Sequence, residues 1–244
     1  ITRGLPHFNF QLFTETTPAS GDAMGSGGLK NAIVGSLIMS SAGILLASVL
    51  GIASATYLAE FCTNKKFITN INYINDLLLS APSIIIGIFV YTILVKSIGP
   101  FNAIAGTVAL AIISLPMVHR ATYDAMNLVS HSLREAAVSL GISRVKVTFS
   151  IIYTAIKRSA ITIILLSFAR ILGETAPLLF TSLNNQFMST DMLQPMASLP
   201  VVIYNFAIDA DKNLQQIAWS GALLITIIIL LLNIIAKNTS KNGK

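Results

Sequence analysis

Two constellations in this chain have residue types and spacings that could do chemistry. The first is the run S-L-R-E-A-A-V-S-L-G-I-S, from Ser132 to Ser143. Ser132 followed by Glu135 has the spacing of a capping box, in which each side chain bonds the other residue's backbone N–H. Leu133, Ala136, Ala137 and Leu140 then fall on one helical face. Gly141 suits the left-handed position that ends a helix. The spacing therefore predicts a short capped helix over 133–140 with an apolar face, in which Glu135 serves the helix itself. The second constellation is Arg170 and Glu174, placed i to i+4 inside an otherwise apolar stretch. They can neutralise one another as an ion pair on one helix face. Alternatively, Arg170 attracts an oxyanion, whose two oxygens its planar fork can bind at once, and Glu174 sets its pose.

Catalytic chemistry is not indicated. No nucleophile elbow and no carboxylate pair placed for acid–base work is present. His7, His119 and His131 have no mutual metal spacing, and the lone Cys62 excludes an internal disulfide and a cysteine metal set. Gly25-Ser26-Gly27-Gly28 lacks the Lys-Ser/Thr of a phosphate loop and reads as a linker. Any ATP must be hydrolysed on another chain. No bound cofactor is expected, and the chain reads as a non-catalytic subunit.

These residues need elements to position them, and composition says where those elements lie. Of 244 residues, 54% are hydrophobic and 11% charged, against about 25% charged in an ordinary soluble domain. A bilayer core of about 30 Å needs roughly 20 apolar residues in a helix. Five stretches qualify: 32–58, 77–95, 101–118, 159–180 and 217–236. Helices satisfy their backbone internally, and none of these runs alternates as barrel strands do. The expected class is an all-α, multi-pass membrane protein.

Orientation follows from the basic residues. With the first span running inward, the inner side holds Lys65, Lys66, Arg120, Arg134, Arg144, Lys146, Lys157, Arg158, Lys237, Lys241 and Lys244, which is eleven of the sixteen Lys and Arg residues. Residues 1–29 then form an external segment and linker, 30–236 the membrane domain, and 237–244 an inner tail. An external start implies a sixth span upstream of Ile1. The segment 119–158 becomes a long inner loop carrying the Glu135 run. The same run also resembles the first helix and turn of a helix-turn-helix, followed by Arg144 and Lys146. The spans on both sides leave little room for a DNA-binding fold, so no nucleic-acid partner is expected.

Smaller features leave choices open. Gly43, Ala47, Gly51 and Ala55 form a small-residue stripe, suited to packing inside the bundle or against a second membrane subunit. Pro82, Pro116 and Pro177 mark kinks or boundaries. Pro195 to Ile208 is apolar but too short to span, so it is a re-entrant or interfacial piece, either a lid or an external docking surface. Glu60, Asp76 and Asp124 read as solvated or capping residues near inner span ends.

The run Glu135 to Gly141, E-A-A-x-x-x-G, resembles the cytoplasmic signature of type I ABC importer permeases. The family pattern continues with I-x-L-P. Ile151 matches it, but Tyr153 and Thr154 stand where Leu and Pro are usual. Leu77 to Ile93, Ala169 to Thr181 and Asn184 to Tyr204 resemble phosphate-importer permeases of the PstA type, so the likeness covers about 31–235. The resemblance implies a MetI-like helix bundle in the inner membrane of a prokaryote. It implies a homologous second permease forming a heterodimer, a dimeric ABC ATPase on the cytoplasmic side, an external phosphate-binding protein, and phosphate as cargo. In that family the signature helix couples to the ATPase, which assigns Leu133, Glu135, Ala136, Ala137, Leu140 and Gly141 to coupling, with Leu133 and Leu140 as the expected grips and Glu135 serving the helix as much as the ATPase. Arg170 and Glu174 become candidates for the pathway. A type I permease for another oxyanion or small polar solute is the alternative, and an ATPase-independent transporter the third reading.

Overall fold

In the computed structural model, residues 3–18 and 27–241 are described. Gly25 and Ser26 of the expected linker and the tail residues 242–244 lie outside them. The described chain is helical. Nine helices position the site: α1 Lys30–Phe61, α2 Lys65–Ser80, α3 Ser83–Val95, α4 Ala103–Asn127, α5 His131–Ser139, α6 Arg144–Leu172, α7 Ala176–Leu179, α8 Leu199–Ala207 and α9 Lys212–Lys241. Among the described residues, α1, α4, α6 and most of α9 are long and apolar enough to cross a bilayer, and α2 with α3 make a fifth crossing if that bent pair is one span.

Several expected spans change shape. The stretch 77–95 is not one straight helix. α2 ends at Ser80, α3 begins at Ser83, and their axes differ by 99°. Pro82 causes this: its ring disfavours a helical residue before it, and Ala81 is extended at ψ 133°. The third span is longer than 101–118. Asn102 caps it by accepting from Ala105 N–H at 2.8 Å, and Pro116 is carried inside the helix. The inner loop 119–158 is therefore largely helical, beginning within α4 and ending within α6. The stretch 159–180 starts earlier, at Arg144, and breaks at Gly173–Thr175 before the short α7.

The small-residue stripe is an internal contact. A Cβ on Gly43 would sit 3.2 Å from Leu110 Cβ, and one on Gly51 would sit 3.0 Å from Val118 Cγ1. Thus α1 and α4 lie backbone to backbone, fastened also by Ser54 Oγ and His119 Nδ1 at 2.7 Å.

Apolar burial forms three clusters stacked across the molecule. With the ends named by the orientation expected from the basic residues, the outer one joins Leu12 and Leu29 to Leu199, Val202 and Phe206 of α8 and Leu214 of α9. So 195–208 packs as a lid over the outer ends. Buried Asn31 pins the segment that leads into this lid, donating to the carbonyls of Asn185 (2.7 Å) and Gln186 (3.1 Å) while bonding Thr17. The middle cluster runs through Met39, Leu110, Ile113 and Ile171. The inner one joins Met126, Ala137, Val147, Ile152 and Ile156.

Candidate functional site

The inner face is built around α5. The helix starts one residue before the expected cap: Ser130 is extended (φ −60°, ψ 141°) and holds the N-cap position without a side-chain bond. Ser132 lies inside the first turn, where its hydroxyl meets Ser130 Oγ at 3.3 Å. The Ser132–Glu135 capping box does not form. Glu135 is exposed and available to a partner at the surface. The far end agrees with expectation, since Gly141 adopts φ +78°.

The face expected to be uniform is divided. Leu133 (42% exposed), Leu140 (81%) and Ala136 point outward, whereas Ala137 (5%) faces the inner core. Ala137 turns inward because its small side chain fits against Met126 and Val147. The outward residues follow an i, i+3, i+7 rhythm, which is how one helix presents anchors to a groove.

What fastens α5 was missed in the sequence. Glu60 is neither solvated nor a cap. Its carboxylate accepts from Arg134 Nη2 at 2.8 Å and Nε at 3.3 Å, with the two side chains 16% and 9% exposed for Arg134 and Glu60. Arg134 also donates to the carbonyls of Met126, at 2.7 Å, and Val129. Breaking such a buried pair by removing one partner typically costs about 3–5 kcal/mol. The available signal was Glu60 itself, an acid closing a run that is uncharged from Asn31 onward. Beside this pair lies a cavity of about 640 Å³ lined by Glu60, His131, Arg134, Glu135 and Arg144. Asp76 and Asp124 are surface groups, both reached by Arg120 (3.4 and 3.1 Å).

A Cβ added at Gly141 would meet nothing within 4 Å, so an alanine there faces only backbone strain. Left-handed geometry costs a non-glycine residue roughly 1–2 kcal/mol. Gly141→Ala is expected to loosen the α5–α6 turn by about that amount and speed limited proteolysis there, with Gly141→Asn intermediate.

The second site lies near the end of α6. The Thr162 hydroxyl shares its proton between the carbonyls of Arg158 (3.0 Å) and Ala236 (3.4 Å). Ala236 directly precedes Lys237, where the inner charges begin. Arg170 lies eight residues beyond Thr162 along α6, about 12 Å at 1.5 Å per residue, and two residues before α6 ends. The expected continuous helix does not form. α6 stops at Leu172, and Glu174 lies in the break that follows. The two side chains touch loosely, Nε to Oε1 at 3.8 Å, with Arg170 50% and Glu174 17% exposed. Irregular backbone within a membrane is tolerated only inside protein or along a water-filled cavity. The bent α2–α3 pair packs on the piece that follows this break: a Cβ on Gly87 of α3 would lie 2.7 Å from Pro177 Cα of α7. Among the described residues, no group of three or more His, Cys, Asp or Glu side chains gathers to hold a metal.

Comparison with known proteins matches this geometry. Residues 47–241 match the model of the binding-protein-dependent transport system inner membrane component family. The phosphate transport system permease protein PstA of Pasteurella multocida is 47% identical over 97% of this chain and 84% of its own. The probable phosphate transport system permease protein PstA of Methanocaldococcus jannaschii is 34% identical over 94% and 80%. Among solved structures, the inward-facing MetNI methionine ABC transporter superposes with TM-score 0.71 at 14% identity, covering 85% of this chain and 92% of that one. A bacterial alginate ABC importer gives 0.67 at 15% identity, covering 88% and 80%.

Proposed function

From a chain that belongs to the family of binding-protein-dependent transport system inner membrane components, we propose the permease subunit of an ATP-driven phosphate importer. The observation that carries the substrate is the 45–47% identity to phosphate permeases over nearly the whole chain. Nothing among these relatives favours another solute. The chain sits in the inner membrane as a multi-pass protein, with residues 30–236 as the permease body.

In this reading α5 docks on a cytoplasmic ABC ATPase dimer through Leu133, Ala136 and Leu140, with Glu135 beside them. Ala137 and Gly141 shape the helix rather than touch the partner. A homologous second permease completes the pathway, and an external binding protein delivers phosphate to the outer lid. Arg170, at the interrupted end of α6, attracts the anion. Glu174 is held near enough to bias its pose and far enough to leave the guanidinium available. Closure of the ATPase dimer displaces α5 and shifts the spans between inward-open and outward-open states. The chain itself carries no ATP chemistry.

The test is uptake of radiolabelled phosphate by vesicles containing the assembled transporter. Uptake that requires ATP and the ATPase is expected. Uptake surviving loss of the ATPase would overturn the reading.

A further inference from the structure

Resting on that reading, we propose that Arg134 and Glu60 form the strut that carries motion from the docking helix to the membrane spans. Arg134 is largely covered, whereas Leu133 and Leu140, near the two ends of the same helix, stand exposed. Its guanidinium ties three elements together: α5, which carries it; the inner end of α1, through Glu60 at 2.8 and 3.3 Å; and the C-terminal end of α4, through the carbonyl of Met126, while a further bond to the Val129 carbonyl holds the connection that follows α4. The planar fork suits this arrangement, since its donors diverge at fixed angles. A lysine ammonium could not span the same acceptors with that geometry.

The surroundings make the contact mechanical. Only residues 128–130 join α4 to α5, so there is little slack between them. On the far side the chain turns through Gly141. Without Arg134, a push on α5 could be absorbed by rotation about these two short connections. With it, α5 is tied to α1 and α4, which lie in contact at Gly43 and Gly51 and are bonded at Ser54–His119. Those two spans then move as one body with α5. The pair is a positioning device: neither side chain lies near Arg170 or on the outward face of α5.

The experiment uses the complete transporter in proteoliposomes, with Cys62→Ser as parent. Glu60→Cys and Arg134→Cys are combined, and the two thiols are joined by a bis-methanethiosulfonate reagent matching the span of the ion pair. Phosphate imported per ATP hydrolysed is the readout. Without the link, the ATPase is expected to co-purify and turn over, while the ratio falls by about tenfold, within the range such coupling mutations reach. With the link, the ratio should return most of the way to the parent's, and either single cysteine treated with the reagent should show no such recovery. A parental ratio without the link, or a link that blocks import, would overturn the proposal. If the double variant fails to assemble, Glu60→Gln alone is read the same way; a parental ratio there also overturns it. A parent that imports no phosphate with ATP would count against the proposed function and not against the strut.

Discussion

Arg170→Gln is expected to lower ATP-driven phosphate uptake by about 100-fold or more, with the permease still assembled. Losing a partner of a desolvated charged contact costs about 2–5 kcal/mol, and each 1.4 kcal/mol is a factor of ten. The variant should insert at least as well as the parent, because a charge at the midplane costs about 2.5–3.5 kcal/mol on insertion scales. Its packing should also survive, because Arg170 is half exposed and its contact with Glu174 is loose at 3.8 Å. Glu174→Gln separates the two readings of the pair. If Glu174 only neutralises Arg170, its loss leaves a stranded cation and impairs assembly. If it tunes an anion site, assembly is unchanged and the concentration dependence of uptake shifts. Radiolabelled phosphate uptake with co-purification of the ATPase reads both. Uptake by Arg170→Gln within twofold of the parent would remove Arg170 from the pathway.

Leu140→Glu, alone or with Leu133→Glu, is expected to release the ATPase. Leu140 is 81% exposed and Leu133 42%, so neither change opens a cavity in this chain. A buried interface anchor commonly contributes about 2 kcal/mol or more, which is roughly a 30-fold loss of affinity. Co-purification and binding of the isolated ATPase should both fail while the permease still extracts as a folded protein. Retained binding would mean that the ATPase grips another surface. Ala137→Glu makes the contrast, since Ala137 is 5% exposed against Met126 and Val147. It should break the inner cluster and fail before docking is tested. Glu135→Ala becomes a clean interface probe, because the helix start at Ser130 uses no side-chain cap.

The parts readable in the sequence were those governed by local rules. Apolar runs located the spans, and Gly141 marked the end of α5. Pro82 was legible as a disturbance, but its 99° outcome was not. A proline fixes its own φ and restricts its neighbour, while the bend depends on what α3 packs against, here Pro177 beside Gly87. The capping box failed for a related reason. The helix starts two residues earlier than that spacing implies, after Ser130, and Arg134 of its first turn reaches Glu60. That contact joins residues 74 positions apart. A single sequence shows an arginine in a basic loop and an acid at a span end, and nothing local pairs them.

The amide of Asn31 has a consequence for how this protein is made. It stands at the start of the first long helix, yet its acceptors at Asn185 and Gln186 are 154 and 155 residues later in the chain. At about 5–20 residues per second, the ribosome needs on the order of ten to thirty seconds to deliver them. Throughout that interval this end of α1 lacks the segment that Asn31 holds. A nascent chain stalled before Asn185 should therefore remain open to external proteases at its outer end, and should become resistant only once that segment has been translocated.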